Sequence, residues 1–203
     1  MPLSRLLIAT GNPGKFEELA ALLADVPFQL VSLTDLRIES DPEETGATFE
    51  ENATIKAVAA MQQSGLTSLA DDSGLEVEAL GGEPGVRSAR YAGDDATDSE
   101  RVAYLLSKLE NKDGDLLARF RCVIAVASTG GDVDFFTGEV AGTIVKTPRG
   151  SNGFGYDPIF LVQGKDRTMA ELTNDEKNDI SHRASAARKA AAALSRVARS
   201  DNT

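Results

Sequence analysis

The sequence is poor in cysteine, histidine and aromatic residues, and each shortage excludes a class of protein. Its 203 residues include one Cys, one His and no Trp, and aromatic residues make up 5%. One cysteine cannot form an internal disulfide, and one histidine excludes a multi-histidine metal site and disfavours a histidine-based catalytic triad. A chain of this length can still bury a sizeable hydrophobic core. We therefore expect a globular protein that folds without disulfides.

Long hydrophobic runs and positive charge are also scarce. No apolar run reaches about 18 residues, and the first residues, MPLSRLLIAT, lack the features of a signal peptide, so we expect a cytoplasmic protein with no membrane partner. The 21 Lys and Arg residues face 32 Asp and Glu residues, a formal charge of -11 that disfavours nucleic acid as a partner. A small anion remains compatible, because backbone amides, a few lysines and a metal ion can outweigh distant charge.

Strand and helix patterns alternate along the chain. Strands are predicted at 5–10, 28–33, 67–70, 75–80, 117–128 and 159–162, with one or two more over 133–147. Helices are predicted after GNPGK, after the capping residues Thr48, Thr97 and Thr173, and over the alanine-rich stretch 184–198. Interleaved helices and strands favour the α/β class. Because the strands between 117 and 147 are consecutive, some pairing should be antiparallel and the sheet mixed.

The segment TGNPGK (10–15) follows the first predicted strand and opens a helix. Backbone N–H groups at such a helix start can bind phosphate oxygens, and Lys15 would add a positive charge. The segment is not a Walker A loop, because only two residues separate Gly11 from Gly14 and no Ser or Thr follows the lysine. Because Pro13-Gly14 also suits a type II turn, a plain tight turn is the alternative.

Asp71 and Asp72 follow a short apolar strand, where they would repel each other unless cations or hydrogen-bond donors neutralise them. Paired carboxylates suit Mg2+, although Asp-Asp-Ser-Gly is also compatible with a plain turn. The acidic loop around Glu43 and Glu44 is either a second carboxylate source for the same ion or a solvated surface loop.

Two further segments have both a functional and a structural interpretation. In GFGYDP (153–158), glycines flank Phe154, so the backbone could approach a flat ligand while the ring stacks on it; the alternative is a loop with its aromatic rings in the core. His182-Arg183, at a predicted helix start, either reads a carbonyl-rich base edge or is simply exposed. Cys122 lies within a strand and is interpreted as a small buried residue.

Five segments, in this order, resemble those of one protein family. They are TGNPGK, EETGATFEENATIKA, ADDSGLEVEALGGEPGVRSARYAG, FGYDPIF and AELTNDEKNDISHR. Together they resemble the inosine triphosphate pyrophosphatase family, also called dITP/XTP pyrophosphatases, over nearly the whole chain. The resemblance implies an enzyme that hydrolyses ITP, dITP and XTP to the monophosphate and pyrophosphate, which clears deaminated purines from the nucleotide pool.

The resemblance also implies a cofactor, an assembly and an architecture. The cofactor would be Mg2+, and the active protein would be a homodimer. Each chain would be a single domain over 1–203, with a frayed tail from about 199. Its fold would be an elongated mixed sheet with helices on both sides, in two lobes with the active-site cleft between them.

Particular roles follow from the same resemblance. Asp72 would be the proton acceptor and a metal ligand, and Glu43 of the glutamate doublet would be the second metal ligand. The expected substrate contacts are Thr10, Gly11, Asn12, Pro13, Gly14, Lys15 and Lys56 for the triphosphate, Ser73 beside them, and Phe154, Gly155, Tyr156, Asp157, Lys177, His182 and Arg183 for the base. The alternatives are a purine-nucleotide sensor that does not hydrolyse its ligand, and a septum-inhibitor-like pyrophosphatase with other base specificity.

Overall fold

The computed structural model describes residues 3–40 and 42–200, and its elements alternate as the sequence predicts. The strands are β1 (Arg5–Ile8), β2 (Gln29–Ser32), β3 (Ser68–Val77), β4 (Leu117–Ala127), β5 (Val133–Ile144) and β6 (Phe160–Val162). The α-helices are α1 (Pro13–Leu22), α2 (Phe49–Ser64), α3 (Asp98–Lys108), α4 (Asn174–Ile180) and α5 (His182–Ser200). The tail predicted to fray from about 199 lies mostly outside the described residues. Within them, no helix is long and apolar enough to cross a membrane.

The strands form one mixed six-stranded sheet in the order β2-β1-β3-β4-β5-β6, which confirms the predicted α/β class. β1 pairs in parallel with β2 and β3, and β5 pairs antiparallel with β6. Ile8 of β1 aligns with Leu69 of β3. Because parallel strands end at the same edge of a sheet, this register brings the loop after β1 next to the residues that follow Leu69.

The chain divides into two compact units, which we call unit I (Met1–Asp72, Cys122–Gly138 and Arg183–Thr203) and unit II (Ser73–Arg121 and Glu139–His182). The core of unit I is built from apolar residues of β1, α1, β4 and α5, among them Leu6, Leu19, Ile124 and Ala187. The core of unit II is built mainly from residues of β3, α3, β4 and β6, among them Leu75, Leu105, Phe120 and Phe160.

Strand β3 differs from its prediction. The sequence predicts two strands, at 67–70 and 75–80, on either side of Asp71-Asp72-Ser73-Gly74, whereas one continuous strand runs through these residues and ends at Val77, so the plain-turn alternative is wrong. Both carboxylates can lie inside a strand because side chains from neighbouring elements neutralise them. Successive strand residues point to opposite faces, so the adjacent aspartates reach different partners.

The helix starts predicted at Thr48, Thr97 and Thr173 are confirmed, with one variation in capping, whereas α1 already begins at Pro13, within the GNPGK segment. Thr97 and Thr173 each form a complete capping box with the glutamate three residues later. Thr48 caps α2 by accepting a hydrogen bond from the Glu51 backbone N–H, but the Glu51 carboxylate accepts from Ala47 rather than from Thr48. The C-terminal helix begins at His182, two residues before its predicted start.

The cap of α4 leads to a pH-dependent prediction. Hydrogen bonds from Arg167, and then from the Thr173 backbone, lower the pKa of Glu176 from 4.5 to about 2. A carboxylate whose pKa is lower in the folded state stabilises the fold at pH values above its unfolded-state pKa. This stabilisation is lost as the pH falls towards and through the folded-state pKa. We therefore expect Glu176→Gln to lower the Tm at neutral pH, and the difference from the wild type to shrink between about pH 4.5 and about pH 2.

Thermal unfolding followed by circular dichroism between pH 3 and pH 7 checks this expectation. Asp175→Asn removes a charge from the exposed neighbouring position and is the matched control. A Glu176→Gln deficit that stays constant with pH, or that the control reproduces, contradicts the assigned interaction.

Candidate active site

The loop after β1 continues directly into the first turn of α1. The Asn12 side chain caps this helix by accepting a hydrogen bond from the Lys15 backbone N–H at 3.1 Å. Pro13 and Gly14 are helical, so the tight-turn alternative is wrong. The resulting helix start is accessible beside a surface cavity of about 720 Å³ that includes Thr10 and Asn12. A helix N terminus with Lys15 in its first turn favours a bound anion.

Asp71 is the centre of a buried ion-pair network in unit I. Its Oδ2 lies 3.2 Å from Lys15 Nζ and 3.2 Å from Nη2 of Arg183, whose side chain is 1% exposed. Arg183 Nη1 also donates to Glu18 Oε2 at 2.5 Å. Burial raises the pKa of Asp71, but attraction to Lys15, Arg183 and Lys56 outweighs it and holds the pKa well below its usual range. Asp71 is therefore a permanent anion that orients the cations around it.

Asp72, the next residue along β3, faces a different pair of side chains. Its Oδ1 lies 3.2 Å from Lys56 Nζ, and its Oδ2 accepts a hydrogen bond from Asn52 Nδ2 at 3.2 Å. Burial raises the pKa of Asp72, Lys56 and Lys15 lower it, and Glu44 raises it, with a net value above the usual one. Such a carboxylate is a suitable proton acceptor, because its basicity is higher than that of an exposed aspartate.

Of the two adjacent glutamates, Glu44 rather than Glu43 lies beside Lys56 and Asp72. Lys56 Nζ lies 2.9 Å from Glu44 Oε1, so one ammonium group bridges Glu44 and Asp72. Glu43 is exposed, and its main-chain carbonyl accepts a hydrogen bond from Thr45. The geometry therefore favours Glu44, whereas the sequence analysis chose Glu43. Adjacent residues of an extended segment point in opposite directions, and a doublet does not reveal which one faces inward.

The carboxylates of Asp72 and Glu44 would suit a Mg2+ ion that binds together with a phosphorylated ligand. In the part of the chain that the structure describes, no group of three or more His, Cys, Asp or Glu side chains is arranged to hold a metal. Mg2+ usually takes only one or two protein carboxylates, while water and substrate phosphates complete its coordination. Asp72 and Glu44 supply such a pair, and both already contact one positive charge, that of Lys56.

A second polar cluster forms in unit II around Asp157. Lys177 Nζ lies 2.6 Å from Asp157 Oδ2, and both side chains are 4% exposed. The Phe154 backbone N–H donates to the same oxygen at 3.0 Å, and Lys177 Nζ lies 4.6 Å from the centroid of the Phe154 ring. Gly153 has a φ of 73°, and a Cβ there would lie 2.0 Å from Asp157 Oδ2. The loop therefore requires glycine and holds a half-buried aromatic ring over a buried cation.

Tyr156 and His182, both expected at the base, are buried. Tyr156 is 4% exposed and donates its hydroxyl hydrogen to the Ser88 carbonyl at 3.0 Å. His182, also 4% exposed, stacks on Phe120 with ring centroids 4.9 Å apart. Of the two aromatic rings in this loop, that of Tyr156 lies in the core, whereas that of Phe154 is partly exposed. The simple surface interpretation of His182 and Arg183 is wrong, because both are buried.

Cys122 is buried, as predicted, and lies beside the unit I network. Its Sγ is 3.9 Å from Asp71 Oδ2. Burial, with the added repulsion of Asp71, raises the thiol pKa to about 12. The group is therefore a neutral thiol at physiological pH and does not act as a nucleophile.

Several contacts of these clusters were missed from sequence. Asn52 had a usable signal, since it precedes Lys56 by one helical turn and shares its helix face. Glu18 had none, because its partner Arg183 is 165 residues away along the chain. Asp98 also had no usable signal, because the Gly155 backbone N–H that donates to it is 57 residues away. A larger depression of about 800 Å³ in unit II, along β3, β4 and β5, contains none of the predicted site residues.

The mixed sheet and the clusters define an α/β protein whose lysines and helix N terminus suit a phosphorylated ligand. Its family follows from comparison. The chain belongs to the Ham1 family, whose sequence model matches residues 6–193. The resemblance inferred from the five segments is thereby confirmed.

The chain is similar to individual relatives over almost their whole length. The chain is 49% identical over 193 residues to a dITP/XTP pyrophosphatase of Bacillus licheniformis, covering 95% of this chain and 98% of the relative. It is 52% identical over 182 residues to a dITP/XTP pyrophosphatase of Geobacter sulfurreducens, covering 89% and 92%. The solved structure of a HAM1 protein from Coxiella burnetii matches with a TM-score of 0.88 and 45% identity, covering 96% of this chain and 100% of that one.

Proposed function

We propose that this chain is a nucleoside triphosphate pyrophosphatase that hydrolyses ITP, dITP and XTP to the monophosphate and pyrophosphate. One observation carries the proposal: Lys15 and Lys56 contact the adjacent carboxylates Asp71 and Asp72 beside the start of α1. Two ammonium groups and a helix N terminus suit a polyphosphate, and a carboxylate with a raised pKa suits proton transfer. The names of the relatives support the same substrate class.

In the proposed reaction, water attacks the α-phosphorus in line with the departing pyrophosphate. Asp72 orients this water and accepts its proton, while the new P–O bond forms and the bond between the α-phosphorus and the bridging oxygen breaks. Lys15, Lys56 and the backbone N–H groups of residues 10–15 bind phosphate oxygens, and Ser73 contacts the substrate. Asp72 and Glu44 would hold Mg2+, which when bound would supply positive charge to neutralise the leaving pyrophosphate.

Base selectivity in this proposal is a hydrogen-bonding problem. Inosine and xanthine carry a 6-oxo acceptor where adenine carries a 6-amino donor. Phe154 would stack on the purine, and donors from Lys177, His182 or neighbouring backbone would pair with the oxo group. Leaving such buried donors unpaired against adenine costs about 1–3 kcal/mol each. Arg183 is also proposed to contact the base, although its guanidinium contacts Asp71 and Glu18 here.

The activity is tested by incubating the protein and Mg2+ separately with ITP, XTP, GTP and ATP, with pyrophosphate and orthophosphate assayed as distinct products. Pyrophosphate from ITP and XTP, with little from ATP or GTP, supports the proposal. Orthophosphate would move the attack to the terminal phosphate. Binding without either product would instead support a sensor, and pyrophosphate from other nucleotides a septum-inhibitor-like enzyme.

We also propose that the chain acts as a homodimer, which sedimentation equilibrium at several protein concentrations checks directly. The elongated sheet and the two-lobed single domain stay predictions.

A further inference from the structure

Helix α3 anchors the loop around Phe154 from outside the loop. Asp98 Oδ2 accepts a hydrogen bond from the Gly155 backbone N–H at 2.7 Å, across 57 residues of sequence. The other carboxylate oxygen of Asp98 accepts from Arg101 Nη1 at 2.5 Å, and Arg101 Nη2 donates to the Ala96 carbonyl at 2.5 Å. The capping box of Thr97 fixes the helix start immediately before Asp98. The position of Asp98 is therefore fixed by its contact with Arg101 and by the capped start of α3.

The backbone at Gly155 lies in the left-handed region that favours glycine. This residue has a φ of 62°, and a Cβ added to it would have no heavy atom within 4 Å. Its neighbours are held differently: Phe154 N–H donates to Asp157, and the Tyr156 hydroxyl donates to the Ser88 carbonyl. Glycine has more accessible backbone conformations than other residues, so the hydrogen bond to Asp98 restrains this peptide.

The Tyr156 anchor is itself part of a fixed structure. Ser88 Oγ accepts a hydrogen bond from the Leu75 backbone N–H at 2.9 Å and donates to the Gly85 carbonyl at 2.7 Å. The GVRSARYAG segment, which the reaction itself does not use, therefore ties the loop to β3. Gly155 lies between Phe154, whose N–H donates to Asp157, and the anchored Tyr156, and its own N–H donates to Asp98.

We propose that Asp98 is a positioning residue for purine binding, which holds the peptide after Phe154 so that the ring is in place before the nucleotide arrives. This inference rests on the proposed function, because it assigns the base to the Phe154 loop. Without the anchor, substrate binding must order the loop, and the cost of ordering reduces affinity. The cost appears in KM and not in the chemical step, because no reacting atom contacts Asp98.

The test compares Asp98→Ala with the wild type and with Asp95→Ala, which removes an exposed charge from the preceding loop. Kinetics with ITP give kcat and KM, inhibition by inorganic tripolyphosphate probes phosphate binding without a base, and thermal unfolding reports stability. We expect KM for ITP to rise about 5- to 20-fold with kcat changed less than about 2-fold. The inhibition constant of tripolyphosphate should be unchanged, and Asp95→Ala should match the wild type.

Asp98→Asn is the rescue variant, because its amide oxygen can still accept the Gly155 N–H. Its KM should lie nearer to the wild type than that of Asp98→Ala. A KM in Asp98→Ala equal to that of Asp95→Ala overturns the inference. So does a rise in the tripolyphosphate constant that parallels KM, since this indicates general damage to the fold. A wild-type protein that releases no pyrophosphate from ITP refutes the proposed function, and the inference with it.

Discussion

Replacing Asp72 by Asn is expected to lower kcat for ITP by about 100- to 10,000-fold while ITP binding stays measurable. The amide has the size of the carboxylate and can still accept a hydrogen bond from Asn52, so the local geometry should persist. It cannot accept a proton from the attacking water at neutral pH, and this loss affects the chemical step. Pyrophosphate release under saturating ITP measures kcat, and equilibrium dialysis at low temperature measures binding.

Asp113→Asn is a matched control for this experiment, because Asp113 lies in an exposed loop before β4. Its kcat and its affinity for ITP should equal those of the wild type. Near-normal turnover in Asp72→Asn would remove Asp72 from its assigned role. Loss of ITP binding in parallel with kcat would instead make Asp72 a binding or folding residue.

The second large effect is expected in stability: Asp71→Ala should lower the free energy of unfolding by about 3 kcal/mol. The variant leaves Arg183, 1% exposed, without its carboxylate partner on β3. Breaking a buried ion pair costs about 3–5 kcal/mol, and we expect the lower end because Glu18 still contacts the guanidinium. Urea denaturation followed by circular dichroism gives the difference directly.

An exposed ion pair in the same chain provides the comparison. Arg119 contacts Glu76 with its side chain 51% exposed. Arg119→Gln should therefore change the free energy of unfolding by less than about 1 kcal/mol. Equal effects of Asp71→Ala and Arg119→Gln would mean that the unit I network contributes no more than a surface pair.

The elements whose signals are local were predicted well. Thr97 and Thr173 start helices because each forms hydrogen bonds with a glutamate one turn later, and such contacts depend only on nearby residues. The register of β1 with β3, which the sequence analysis did not predict, explains why the loop at 10–15 lies near Asp71. The ENATIKA segment carries a local signal of the same kind, because Asn52 and Lys56 share one helix face, but the sequence analysis did not use it for Asn52.

The errors arose where partners are distant in sequence. Asp71-Asp72 has the composition of a turn, yet it is part of a strand because Lys15, Arg183 and Lys56 reach it from α1, α5 and α2. The contact of Glu44 with Lys56 likewise comes from packing, and which glutamate of the doublet binds the metal stays a prediction.

The fold class, the capped helix starts and the family are predictable from sequence, because hydrophobic periodicity, capping and ordered motifs are all carried by residues near one another in the chain. Which carboxylate contacts which cation, and the hydrogen bond from Gly155 to Asp98, became known from the tertiary structure. Charge pairing and burial depend on distances between side chains that lie far apart in sequence, and packing alone brings them together.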